Sequence, residues 1–286
     1  MTLAPALEWR TTMLQRIAMG LVALAVMLMA TTLAARAFDE SKYPDLKGKW
    51  ERERAPRWIP PGEKAPLTAE YQAIFQANLA DQAVGGHGTE PSFAFLPPGM
   101  PRIMNVYEPM EIVVTPWTTY LLISHVHDNR RIFTDGRDWP AEIEPTFHGY
   151  SIGKWIDEDG DGRYDVLEVE TRGMKGPLAY DTTGLPLHSD NQTIVKERLY
   201  LDKADPKILY NEITTIDHAL TGPWTVKKKY LRRPDPRPVW LEETCAEYNV
   251  HVVIGKEAYF LSADGLLMPA KKNQAPPDLR YFKQAR

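Results

Sequence analysis

Apolar and polar positions alternate with a period of two over most of the chain, and each alternating stretch predicts a strand. These stretches are Met110–Thr115, Thr118–His127, Arg131–Thr134, Tyr150–Ile156, Asp165–Thr171, Thr193–Leu201, Ile208–Asp217, Trp224–Leu231 and Val250–Ile254. Gly, Pro, Asp or Asn bounds each one. Short polar links between consecutive strands favour antiparallel neighbours over βαβ crossovers. The predicted fold is mainly β: a single antiparallel β-barrel, with a sandwich as the alternative, and one short N-terminal helix.

The period changes to that of a helix in one place. Between Thr68 and Gln82, Tyr71, Ile74, Phe75 and Leu79 make an apolar face with Asn78 as a polar intruder at its edge, and Thr68 is placed to cap the N-terminus. A Gly-Gly-His-Gly loop ends the helix. Before it, residues 38–67 carry Pro44, Pro56, Pro60, Pro61 and Pro66 around one short strand, Lys47 to Glu53, and read as a wrapping arm. The globular part is expected over 68–268, and the Lys-, Gln- and Pro-rich tail 269–286 at the surface or disordered.

The N-terminus carries an address. Arg10 and Arg16 precede an apolar run from Ile17 to Leu33, and Ala35-Arg36-Ala37 supplies small residues for a signal peptidase. Residues 1–37 are therefore expected to be a signal peptide cleaved after Ala37, with a retained anchor as the rival reading. A periplasmic or secreted location follows, with no stable membrane span after cleavage.

Charge and cysteine usage narrow the partners. The chain has 34 Lys+Arg against 38 Asp+Glu, and residues 1–37 hold Arg10, Arg16, Arg36 and a single acid, Glu8, so the remainder is more acidic still. That balance argues against a nucleic-acid partner. Cys245 is the sole cysteine, so the fold stands on its apolar core without an internal disulfide, and eight Trp, thirteen Tyr and eight Phe suffice to build one.

The most specific motif is Asp157-Glu158-Asp159-Gly160-Asp161-Gly162-Arg163-Tyr164-Asp165-Val166-Leu167-Glu168. Calcium takes six to eight oxygens, and a loop offers them from acids at positions 1, 3, 5, 9 and 12, a carbonyl at 7 and a turn-making Gly at 6. Asp157, Asp159, Asp161, Arg163 (through its carbonyl), Asp165 and Glu168 match those positions. Strands flank the loop, so Glu168 is placed at the limit of reach. The expected cofactor is a structural Ca2+; the rival is an acidic hairpin turn without metal.

Three further groups bear chemistry. On the strand Thr118–His127, Thr119, Leu121, Ile123, His125 and His127 share a face, which sets two imidazoles side by side for metal, acid–base or ligand-orienting roles. On Thr193–Leu201, Val195, Glu197, Leu199 and Leu201 share a face; an inward Glu197 is either paired with a cation or a general acid or base. Arg131, Phe133 and Asp135 lie on one side of a short strand with Arg137 just beyond, a ligand-binding set whose alternative is an Asp–Arg pair across the turn. Asp217 and Glu247-Tyr248-Asn249 are polar candidates without an assigned mechanism.

Gly48-Lys49-Trp50 resembles the Gly-x-Trp of lipocalin-like barrels, whose Trp plugs the closed end, although the accompanying Thr-Asp-Tyr is replaced by Thr134-Asp135-Gly136. Thr134-Asp135-Gly136-Arg137, Tyr150-Ser151-Ile152-Gly153-Lys154-Trp155, Leu167-Glu168-Val169-Glu170-Thr171, Val195-Lys196-Glu197-Arg198, Pro223-Trp224-Thr225-Val226 and Cys245-Ala246-Glu247-Tyr248-Asn249 resemble elements of a large family of uncharacterised secreted bacterial proteins. The likeness spans most of residues 95–255; it implies export and a single domain, and the acidic loop departs from it.

Two functions remain open. One is an extracytoplasmic, calcium-stabilised barrel holding a small apolar or aromatic molecule in a pocket lined by aromatics and the His125/His127 pair. The other is an acid/base enzyme, a hydrolase, lyase or isomerase, using His125 or His127 with Glu197. Neither a Gly-x-Ser-x-Gly elbow, a P-loop nor a dinucleotide fingerprint occurs in the sequence.

Overall fold

Nine strands pair in chain order: β1 (Lys49–Arg52), β2 (Met110–Val114), β3 (Thr118–Ile123), β4 (Asn129–Phe133), β5 (Tyr150–Ile156), β6 (Val166–Arg172), β7 (Ile194–Leu201), β8 (Ile208–Ile216) and β9 (Trp224–Arg233). β1 also pairs with β9, Trp50 standing opposite Met110 on one side and Arg232 on the other, so the mixed sheet closes on itself. The structure is a computed structural model that describes residues 38–53, 57–91, 96–105, 109–124, 129–188, 190–234, 240, 251–255, 257–262 and 264–277. Its contacts group Met1–Glu40, described for 38–40 alone, and Ser41–Arg286, which holds every element discussed below. The proposed signal segment, His125, His127 and Cys245 lie outside the described residues. Among the described residues no helix is long and apolar enough to cross a membrane.

Alternation decides what the sheet buries. Ser151, Gly153 and Trp155 on β5, Leu167, Val169 and Thr171 on β6, Val195, Glu197 and Leu199 on β7, Leu209, Asn211, Ile213 and Thr215 on β8, and Trp224, Val226, Lys228 and Tyr230 on β9 are buried, with more exposed residues between them. The face they share is filled from outside the sheet. Met100, Ile103 and Met104, around the 3-10 turn Arg102–Asn105, are at most 1% exposed, and the Tyr230 hydroxyl donates to the Met104 carbonyl. Each such fully buried apolar side chain contributes about 1.5–3 kcal/mol. Trp50 is fully buried too; its Nε1 donates to Leu46 O at 2.9 Å, and the Arg232 guanidinium lies 4.7 Å from the ring centroid.

One junction departs from the expected antiparallel order. β4 and β5 run parallel, with Ile132 opposite Ser151 and Phe133 opposite Ile152. The long connection 134–149 makes this possible, because a parallel neighbour requires the chain to travel back before it pairs. Gly153 is needed beside this seam: a Cβ there would sit 2.6 Å from Ile132 Cγ2.

Helix α1 (Ala69–Ala83) forms where the period predicts, with Thr68 accepting from the Tyr71 N–H. Its buried side is not the one expected. Ile74 is exposed, Tyr71, Phe75 and Leu79 are half-buried, and Asn78 is buried at 4% exposure. The reason is polar: Asn78 Nδ2 donates to Thr89 Oγ1 (2.7 Å) and Gly184 O (2.9 Å), tying the helix to two loops.

A second, three-stranded antiparallel sheet follows, of β10 (His251–Ile254), β11 (Glu257–Leu261) and β12 (Leu267–Pro269), the last two unforeseen from the sequence. It docks at the C-terminal end of α1. Lys271 Nζ lies 2.6 Å from Asp81 Oδ1 and 2.9 Å from Glu257 Oε2, and the Lys272 N–H donates to Val84 O. Gly85, at φ +94°, permits this approach; a Cβ would meet Ala270 O at 2.8 Å.

Asn78→Ala leaves buried partners unpaired and is expected to cost about 1–3 kcal/mol. Ile74→Ala, on the exposed side, is expected to stay within about 0.5 kcal/mol. Urea unfolding of the two variants beside the wild type checks the difference.

Candidate functional site

Residues 57–63 of the arm, with β1, β9 and α1, line a cavity of about 700 Å³. Trp58, Ile59, Phe75 and Leu79 supply its apolar wall. Trp58, 1% exposed, anchors the arm: its N–H donates to Asp181 Oδ2 at 2.7 Å, and its ring packs 5.1 Å from Tyr180. Asp181 is held in turn by the Thr183 N–H at 2.9 Å.

Five cations line this cavity, Arg52, Arg57, Lys227, Lys228 and Lys229, against three carboxylates, Glu53, Glu63 and Asp181. Lys229 pairs with Glu53 at 2.7 Å and Lys227 with Glu212 at 3.3 Å. Lys228 is different. Alternation on β9 carries it inward with Val226 and Tyr230, and it is 8% exposed. Its ammonium donates to Trp58 O (3.0 Å) and Arg57 O (3.2 Å) and stands 4.4 Å from the Trp58 ring centroid. Burial brings its pKa down to about 8, the Asp181 charge opposing and the Arg52 charge reinforcing that shift. An ammonium has three donors, and the two carbonyls leave one for a ligand. Two other wall residues carry buried polar atoms that lack a hydrogen-bond partner among the described residues: the donor Trp58 Nε1 and the acceptor Asn105 Oδ1.

Lys228 and Trp58 were not among the residues singled out in the sequence. The signal for Lys228 was there: Trp224, Val226, Lys228 and Tyr230 share one parity, so a lysine occupies an inward position.

Glu197 does face inward, 2% exposed, and is paired. Arg130, 1% exposed, bonds both its oxygens, and Asn211 Nδ2 donates to Oε1 at 2.8 Å. Arg130 also donates to Thr171 Oγ1 at 2.9 Å, Thr171 and Ser151 share a hydrogen bond of 2.8 Å, and Met104 Sδ lies 3.6 Å from Arg130 Nη1. Of the two readings open for an inward carboxylate, this is the paired one. The partner is Arg130, while its neighbour Arg131 is exposed on the outer face.

Asp135 and Arg137 are joined at the surface, Arg137 Nε donating to Asp135 Oδ1 at 2.9 Å. The guanidinium lies 3.9 Å from the Phe133 ring centroid and bonds Tyr150 Oη at 3.3 Å. Arg131, Asp135 and Arg137 therefore stand outside the cavity under the arm.

The acidic loop is the β5–β6 hairpin. Asp157 accepts from the Gly160 (2.7 Å) and Gly162 (2.9 Å) N–H groups, Asp165 from Glu158 N–H (2.8 Å), and Asp161 from Arg163 N–H (2.8 Å). Asp157, Asp159 and Asp165 bring carboxylate oxygens within 4.8 Å of one another. Asp161 is not in that trio, and Glu168, already on β6, bonds Arg198 at 2.8 Å.

No protein-family model matches the chain, and no curated protein is significantly similar to it.

Removing one partner of the buried pair strands the other charge. Glu197→Ala is expected to cost about 3–5 kcal/mol, and Arg130→Met with Glu197→Leu to recover most of that loss. Equilibrium unfolding of both variants is the check.

Proposed function

We propose that the protein is an extracytoplasmic binding protein, a lipocalin-like β-barrel whose ligand sits beneath the Pro-rich arm. The observation that carries this reading is the cavity: its volume falls in the usual range for small-molecule sites, its wall is aromatic and apolar, and a buried lysine stands in it. The ligand is an amphipathic anion, with an apolar or aromatic body against Trp58, Phe75 and Leu79 and a carboxylate-type head on Lys228. The barrel reading rests on the closed strand order and on the burial of Trp50, and export rests on the N-terminal segment and the resemblance to secreted proteins.

The acid/base alternative has less behind it. Both Glu197 oxygens are bonded to Arg130 and the side chain is buried, so neither oxygen is open to a substrate.

Calcium enters this proposal as a stabiliser of the β5–β6 hairpin. Asp157, Asp159 and Asp165 fit it in donor type, three carboxylates being the oxygen ligands this ion prefers, with carbonyls and water to complete the shell. The hydrogen bonds inside the loop hold its shape in any case, so the ion adds stability by offsetting repulsion.

Ligand binding is expected to depend on the Lys228 charge. With the ammonium half-neutralised near pH 8, an anionic aromatic or fatty carboxylate should bind below that pH and weaken as pH rises through it. Lys228→Met should weaken it at least tenfold, and the matching alcohol should bind poorly to both. Titration calorimetry across pH checks this; equal affinity of acid and alcohol, unchanged by Lys228→Met, rules the site out. Separately, excess calcium after chelation should raise the wild-type melting temperature by several degrees, and Asp159→Asn should abolish that rise. A melt indifferent to calcium removes the ion from the proposal.

A further inference from the structure

The loop before β7 and the turn between β8 and β9 carry three metal-ligating side chains to one place. His188 and Asp190 come from the loop and His218 from the turn, and a ligand atom from each lies within 4.8 Å of the others. His218 Nδ1 is 2.6 Å from Asp190 Oδ2, and His188 Nδ1 is 3.1 Å from the same oxygen. The second contact is not aligned as a hydrogen bond, and His188 Nδ1 is a buried atom with no such partner among the described residues. The two rings stand edge to face at 5.4 Å, and Tyr71 packs against His188 at 5.5 Å.

The backbone that presents these groups is clamped by one carboxylate. Asp217, 9% exposed, accepts the N–H of His188 (3.0 Å) and of Ala219 (2.8 Å) on Oδ1, and its Oδ2 accepts the Thr193 hydroxyl. Asp217 thus bonds the residue that is the first ligand, the residue after the last, and the end of the loop between. Asp190 spends Oδ1 on the Gln192 N–H at 3.0 Å and keeps Oδ2 for the imidazoles. A carboxylate and two imidazoles with ligand atoms this close, on backbone tied together by an acid that is not itself a ligand, supply the donor types a transition-metal site takes.

We propose that His188, Asp190 and His218 bind a divalent transition-metal ion, zinc being the one their chemistry fits best. Nitrogen donors select zinc over calcium, which seeks oxygen, so this site and the β5–β6 hairpin differ in the ion they take. Tetrahedral zinc holds its ligand atoms about 3.3 Å apart, so the two contacts to Asp190 Oδ2, at 2.6 Å and 3.1 Å, need to open by less than one ångström. The side chains are 31% (His188), 21% (Asp190) and 62% (His218) exposed, which leaves the fourth position open to water or to a donor atom of a second molecule.

The test is titration of the chelator-stripped protein with ZnCl2, and with CoCl2, whose visible ligand-field bands report nitrogen ligation. One equivalent is expected to bind, with a Co2+ spectrum that zinc displaces. His218→Gln, at an exposed position that folding tolerates, and Asp190→Asn should each weaken zinc at least tenfold. Asp159→Asn in the hairpin should leave it unchanged. Absence of saturable zinc binding overturns the proposal. So does binding that survives both variants and disappears in His125→Ala with His127→Ala.

Discussion

The buried Arg130–Glu197 pair is the interaction on which the interior of the sheet depends. Arg130 lies on β4, Ser151 on β5, Thr171 on β6, Glu197 on β7 and Asn211 on β8, so one guanidinium and its partners join five consecutive strands from the inside. The span includes the parallel β4–β5 junction, where the backbone ladder is short. Side-chain bonds thus cross a seam where the main chain pairs over only two positions. Burying such a pair carries a desolvation cost that largely offsets the mutual attraction, so it bears on the register of β4 to β8 more than on net stability.

That polar centre also bears on where the proposed ligand can sit. Met104 approaches Arg130 and Tyr230 from within, and the residues around it leave the interior packed. A cavity lies instead beneath the arm, beside β9 and α1, where Trp58 forms a wall held to the loop before β7 by Asp181 and to β9 by the Lys228 ammonium. The proline-rich segment is therefore part of the proposed site, and the carbonyls of Arg57 and Trp58 hold its buried lysine.

Period two made the strands legible, and β5 runs over the residues expected. Parity, however, says which residues share a face and not which face is inside. On β4 the buried set is Arg130 and Ile132, and the sequence alone had drawn attention to Arg131 on the opposite side. The helix shows the complementary limit. Its apolar stripe was visible, but the bonds that bury Asn78 come from Thr89 and from Gly184, over a hundred residues away, and no local pattern records them. The parallel junction was hidden because a long polar connection looks the same whether it leads to an antiparallel or a parallel neighbour. β11 and β12 escaped for want of alternation: β11 buries the adjacent pair Ala258 and Tyr259.

Histidine placement extends the same lesson to chemistry. His125 and His127 drew attention because they are two apart in one strand, whereas His188 and His218 are thirty residues apart and carry no motif. What unites them is Asp217, a residue at a strand end whose carboxylate has bonds to both segments. Asp217 has Oδ1 on two backbone N–H groups and Oδ2 on the Thr193 hydroxyl, whereas Asp190 keeps Oδ2 clear of the backbone and beside both imidazoles. The division of labour between these two acids, one holding loops and one facing imidazoles, separates a built site from a chance meeting of polar side chains.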